Sequence, residues 1–184
     1  MATVIHHQFT VEDYGRMIET GIIDENDAVE LIRGEIVKKM PIGRQHGATV
    51  KRLNQLLVTR LAGVAIVSVQ DPILLADSEP EPDLALLKYR ADFYEGSKPT
   101  GSDVQLVIEV SDTTLDYDRQ IKLPLYAQAG IAEMWIVNLI ESCVETYREP
   151  QPDGGYSVCQ VYGRADVLPL LSFPELALAV AEIL

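Results

Sequence analysis

Apolar residues recur along this chain with two different periods. Val50, Leu53, Leu57 and Leu61 fall three, four and four residues apart, the stripe that one helix face presents, and predict a helix from about Arg44 to Ala62. Val64–Val69 is short and β-branched and reads as a strand, which Ile73-Leu74-Leu75 would continue after a break at Pro72. Apolar runs at Leu84–Leu87, Leu106–Val110 and Glu133–Asn138 predict three further strands, and Cys143–Tyr147 with Tyr156–Tyr162 a late hairpin. Near the start, Thr10-Val11-Glu12-Asp13 opens a short covering helix that Gly21 stops. Val29–Ile32 and Glu35–Val37 flank Arg33-Gly34 as a tight hairpin. Residues 113–129 have helical composition but carry Pro124, which lacks the N–H the helix ladder needs, so a kink or a break is expected there. Asp92–Asp103, with two glycines and a proline, reads as a loop. Ser172-Phe173-Pro174 would cap a final helix with Leu176, Val180 and Ile183 turned inward.

Strands and helices in this succession predict an α/β (α+β) protein. The length of 184 residues and the 47% apolar content suit one domain over residues 1–184 with one sizeable core. No apolar run approaches the roughly 20 residues that span a bilayer, and no basic-then-apolar leader opens the chain, so a cytoplasmic protein with no membrane partner is expected. Cys143 and Cys159 stand at nearly mirror positions about the 151–155 turn, where a disulfide is conceivable; a reducing cytosol favours buried free thiols. A net charge of −13 argues against broad binding to phosphate backbones. It is unevenly spread, however: residues 33–60 hold seven Lys and Arg side chains against Glu35 alone. Any one of these could also belong to a solvated helix face.

The candidate chemistry lies in acids placed among apolar residues. Glu109 interrupts Leu106-Val107-Ile108-Glu109-Val110, and a carboxylate there is costly to bury unless it is paired or bound to a metal. Asp83 opens Leu84–Leu87; taken alone it would be an ordinary acid after a proline turn. Hard oxygen ligands at strand ends are how a fold holds a divalent cation. Glu30, in Val29-Glu30-Leu31-Ile32, faces either solvent or a site, and His46 and Gln70 are weaker auxiliary candidates. Lys122 follows Glu109 by thirteen residues, with Asp118 one helical turn before it. On spacing alone that pair reads as a surface salt bridge worth a few tenths of a kcal/mol.

Taken in order, Val29–Ile36, His46, Glu81-Pro82-Asp83, Glu109–Thr114, Asp118, Lys122, Tyr126–Glu133 and Trp135-Ile136-Val137 resemble the PD-(D/E)XK nuclease superfamily, and within it the Uma-type restriction-endonuclease family. The resemblance covers nearly the whole chain. It implies a restriction-endonuclease-like core, a mixed central sheet flanked by helices, of order α-β-β-β-α-β, with an added N-terminal helix and hairpin and a C-terminal hairpin and helix. It further implies that Asp83, Glu109 and the Val110 carbonyl ligate Mg²⁺, with Mn²⁺ as the alternative, in a homodimer that cuts both strands of DNA. Two departures stand out: the lysine expected after the second acid is absent at Val110-Ser111, and Asn138 replaces the aspartate that often follows Trp-Ile-Val. The first puts Lys122 in the lysine's role, orienting or deprotonating water or binding phosphate. Two other functions compete. One is a noncatalytic binding or assembly module on the same fold, which the charge favours; the other is a metal-dependent hydrolase of small phosphate esters.

Overall fold

A six-stranded mixed sheet organises the computed structural model, which describes residues 6–24 and 26–184. Its strands are β3 (Ala65–Ser68), β4 (Leu84–Lys88), β5 (Val104–Ser111), β6 (Glu133–Asn138), β7 (Cys143–Pro150) and β8 (Tyr156–Gly163), side by side in that order. All neighbours run antiparallel except β5 and β6. A parallel pair needs a crossover, and the segment 112–132 supplies a helical one. β5 is near-continuously apolar because it is covered on both faces.

Side chains alternate across a strand, which divides the core in two. Leu106, Ile108 and Val110 of β5 face one side, against Val50, Leu53, Leu57 and Leu61 of helix α2 (Arg44–Leu61). Val107 faces the other side, with Ala85 and Leu87 of β4, Ile136 of β6, and Tyr126 and Ile131. Glu109 and Asp83 share that second face by parity. The order α2, β3, β4, β5, crossover helix, β6 is the one the resemblance implies.

The N-terminal elements also follow the sequence. Helix α1 (Val11–Glu19) begins with a reciprocal capping pair, Thr10 and Asp13, and Gly21 turns the chain away at φ 71°. Strands β1 (Val29–Ile32) and β2 (Glu35–Lys38) form the expected hairpin. Its two turn residues, Arg33 and Gly34, both take positive φ, the geometry whose twist matches the flanking strands.

Four expectations are corrected. Ile73-Leu74-Leu75 does not prolong β3: Gln70 turns left-handed at φ 54°, and the chain loops so that Ile73 N–H donates to the Pro80 carbonyl and Leu75 N–H to that of Ser78. The helix over 113–129 is not simply kinked; it runs as α3 (Leu115–Tyr117), a π turn (Asp118–Lys122) and α4 (Leu123–Gln128). Leu123 N–H donates to the Asp118 carbonyl five residues back, and Pro124 next in line has no N–H to restore the α ladder. The last helix is only α5 (Val180–Ile183), because Phe173–Ala179 forms strand β10 against β9 (Val167–Leu170). The run Leu176, Leu178, Val180 has period two, which marks a strand. Finally, Cys143 lies opposite Gly163 and Cys159 opposite Tyr147 in the β7–β8 register, so the two free thiols are not mirror partners, and Cys159 is exposed.

Candidate active site

Antiparallel pairing of β4 with β5 matches Leu84 to Ile108, and one more step of that register sets Asp83 against Glu109. Asp83 N–H donates to Glu109 Oε2 at 3.3 Å, and Val110 N–H returns a bond to Asp83 Oδ2 at 2.9 Å. Two carboxylates are thereby fixed to backbone on interior strands of the covered sheet, where β4 begins and β5 nears its end, Asp83 9% and Glu109 3% exposed. His46, at the head of α2, puts Nε2 2.9 Å from Asp83 Oδ2, and Gln70 Nε2 lies 3.3 Å from Oδ1.

The crossover helix closes the cluster from above. Lys122 Nζ stands 3.2 Å from Glu109 Oε1 and 3.4 Å from Glu30 Oε2. Glu30 is itself buried on β1, anchored by Glu81 N–H at 3.1 Å, so of its two alternatives it does not face solvent. Asp118 and Lys122 are buried as well, which corrects the surface salt bridge. Asp118 instead accepts from Ser111 Oγ at 2.7 Å and Thr114 Oγ1 at 2.8 Å. One side chain that the spacing did not single out completes the group: Tyr126, one helical turn past Lys122, donates its hydroxyl to Glu109 Oε1 at 2.8 Å. All seven sequence-predicted side chains, Asp83, Glu109, Lys122, Glu30, His46, Gln70 and Asp118, therefore meet in one place. At Val110 the backbone N–H is the group seen bonding to Asp83.

Four acids, Glu30, Asp83, Glu109 and Asp118, thus crowd one lysine and one histidine. Burial, together with the charges of Asp118 and Asp83, pushes Glu109 up to about 8, against the pull of Lys122. Burial also raises Asp118, despite its two hydroxyl donors. Burial alone would lower Lys122, but Glu109, Glu30 and Asp118 override it and hold the amine protonated. His46 is raised chiefly by its hydrogen bond to Asp83. Such a cluster retains protons because it lacks positive charge.

The donor set fits a hard divalent cation: buried carboxylate oxygens, surplus negative charge, and a carboxyl that holds a proton while no cation displaces it. Mg²⁺ keeps several waters and needs only one or two protein carboxylates, so Asp83 and Glu109 would suffice. Among the described residues, the trio that brings its donor atoms within 4.8 Å of one another is not in this cluster but is Glu141, Cys143 and Glu145. It suits a metal less well. Glu145 is occupied by Arg119, Asn138 Nδ2 at 2.9 Å and Tyr147 OH at 2.6 Å, and burial raises the Cys143 thiol. The basic stretch is partly consumed in structure too: Lys39 pairs with Glu81, Arg60 with Glu182, and Arg52 donates to the Ile183 carbonyl.

Comparison with known proteins adds two findings. The family model Uma2, described as putative restriction endonuclease, matches residues 11–181. The crystal structure of a putative nuclease belonging to DUF820 from Anabaena variabilis superposes with a TM-score of 0.73 at 17% identity, covering 95% of this chain and 97% of that one. No curated protein matches.

Proposed function

The chain belongs to the Uma2 family of putative restriction endonucleases, and from that premise we propose that it is a Mg²⁺- or Mn²⁺-dependent endodeoxyribonuclease with Asp83 and Glu109 as metal ligands. The observation that carries this reading is the imbalance of the cluster. Four buried acids face one lysine across a backbone register that fixes Asp83 and Glu109 side by side. When bound, a divalent ion would lower the pKa of a coordinated water and neutralise charge on the scissile phosphate. Asp83 and Glu109 would hold that ion, with the Val110 carbonyl as a further donor, and Tyr126 and Val110 N–H keep the two carboxylates from rotating. Lys122 acts as a donor. Its amine is kept charged by Glu109 and Glu30, so it binds a phosphate oxygen or orients water rather than taking a proton from it. Asp118, Glu30, His46 and Gln70 act as auxiliary groups that fix these three.

A homodimer would bring two such sites to the two strands of a duplex, and light scattering on the purified protein tests it by returning twice the 20.4 kDa chain mass. The net charge of −13 favours a second reading, a noncatalytic binding or assembly module. Plasmid cleavage by purified wild type in Mg²⁺ and then Mn²⁺, beside Asp83→Ala and Lys122→Ala, separates the two. Metal-dependent nicking lost in both variants supports the nuclease; no nicking, or equal nicking by all three, leaves the binding module.

A further inference from the structure

Among the described residues, three buried polar side-chain atoms have no hydrogen-bond partner: Nδ1 of His46, Oε1 of Gln105 and the hydroxyl of Tyr117. Gln105 sits at the irregularity of the β4–β5 pairing, four residues along β5 from Glu109 and therefore about 13 Å away. The other two border the carboxylate cluster. His46 already spends its second ring nitrogen on Asp83, which makes it a positioning group for that acid. Tyr117 has no such bond.

We infer that the Tyr117 hydroxyl is a substrate contact, donating a hydrogen bond to a non-bridging oxygen of the phosphate to be cleaved; the inference rests on the nuclease reading above. A buried O–H without an acceptor costs about 1–3 kcal/mol, a cost relieved when an acceptor enters. Tyr117 precedes Asp118 in the chain and lies close enough to Glu30, Asp118 and Glu109 to feel their charge, after burial itself, yet it bonds to none of them. The site's carboxylates are turned to other donors: Asp118 to Ser111 and Thr114, Glu109 to Tyr126, and Glu30 to Glu81 N–H and Lys122. A phosphodiester brings two anionic acceptors and no donor of its own. Tyr117, the Lys122 ammonium and, on the protonated ring, His46 Nδ1–H are donors the cluster offers to it. Tyr126 shows the contrasting case, a phenol of the same crossover helix whose hydroxyl is already satisfied on Glu109.

The test compares full-length wild type, Tyr117→Phe, Tyr126→Phe and Asp83→Ala by plasmid-cleavage kinetics, Mn²⁺ titration and thermal unfolding. Tyr117→Phe should lower kcat/KM roughly 10-fold with Mn²⁺ affinity within twofold of wild type and, because the orphaned hydroxyl is gone, a melting temperature raised rather than lowered. Tyr126→Phe, by loosening Glu109, should weaken Mn²⁺ binding. Wild-type kinetics in Tyr117→Phe, while Asp83→Ala is dead, overturn the inference alone. A Tyr117→Phe loss matched by an equal fall in Mn²⁺ affinity overturns it in favour of a structural role. Equal cleavage by wild type and Asp83→Ala, or none by either, overturns the nuclease reading and the inference together.

Discussion

Glu109 on β5 and Glu133 on β6 are glutamates 3% and 1% exposed on adjacent strands of one sheet, and both interrupt apolar runs. They turn to opposite faces. Glu133 shares its face with Trp135, whose Nε1 donates to it at 3.0 Å; Arg148 Nε donates at 2.8 Å and Leu171 N–H at 2.8 Å. Its neighbour in the β6–β7 register is Arg148 itself. Charge and hydrogen bonds are therefore closed around Glu133. Around Glu109 the hydrogen bonds are made as well, by Tyr126 OH, Asp83 N–H and Lys122, but the charge is open: three more acids share one lysine, and the carboxyl is driven up to about 8 by burial and by Asp118 and Asp83. Burial of an acid alone does not mark a site. An acid left without matching positive charge does, because the fold then bears a cost that packing does not require.

Several substitutions would break or sharpen this contrast. The largest effect should come from Asp83→Ala, which we expect to lower Mg²⁺-dependent plasmid nicking by roughly 1,000-fold or more; nicking within tenfold of wild type would remove Asp83 from the chemistry. Next, Glu133→Ala should destabilise the fold by about 3–5 kcal/mol by stranding half-buried Arg148 and the buried Trp135 Nε1–H. Urea denaturation would detect it, and a loss below 1 kcal/mol would mean the closed pair is not structural. A change of opposite sign is expected at Glu109. Its folded pKa lies above the unfolded value, so its contribution to stability is present below about 4.5 and lost as pH rises through about 8. In EDTA at pH 9, Glu109→Gln should therefore be more stable than wild type by on the order of a few kcal/mol, an advantage that shrinks at pH 6. A constant difference across that window would contradict the open-charge picture.

The Arg119–Glu145 pair supplies the mirror image at smaller size. Burial opposes it, but Arg119, Tyr147 and Asn138 hold the Glu145 carboxyl below its ordinary value, so its stability is present above about 4.5 and lost as pH falls through the folded pKa. Glu145→Gln should cost about 1–3 kcal/mol at neutral pH and nothing once the wild-type carboxyl is protonated. A melting-temperature difference between the two proteins that does not shrink as the pH falls below about 4.5 would count against this.

Much of the fold was legible because period and punctuation agreed: the 3-4-4 stripe of α2, the Arg33-Gly34 hairpin and the β-branched strands were all as expected. Phe173–Ala179 misled because Pro174 resembles a helix start while the period-two run behind it marks a strand. The seven candidate side chains could each be singled out in the sequence, but their grouping in space depended on the β4–β5 register and the π turn, which no local pattern encodes. Tyr126 and Tyr117 carried a weak signal, one turn from Lys122 and one residue from Asp118. Nothing in spacing says which phenol is satisfied. For the same reason the sequence could not separate Glu109 from Glu133, since Arg148 comes beside Glu133 only through the sheet.

The most direct test is plasmid cleavage in Mg²⁺ by Glu109→Gln and Glu133→Gln prepared side by side, each normalised to its folded fraction. The account predicts that Glu133→Gln cleaves like wild type per folded molecule while Glu109→Gln does not cleave. Equal activity in the two variants would contradict it.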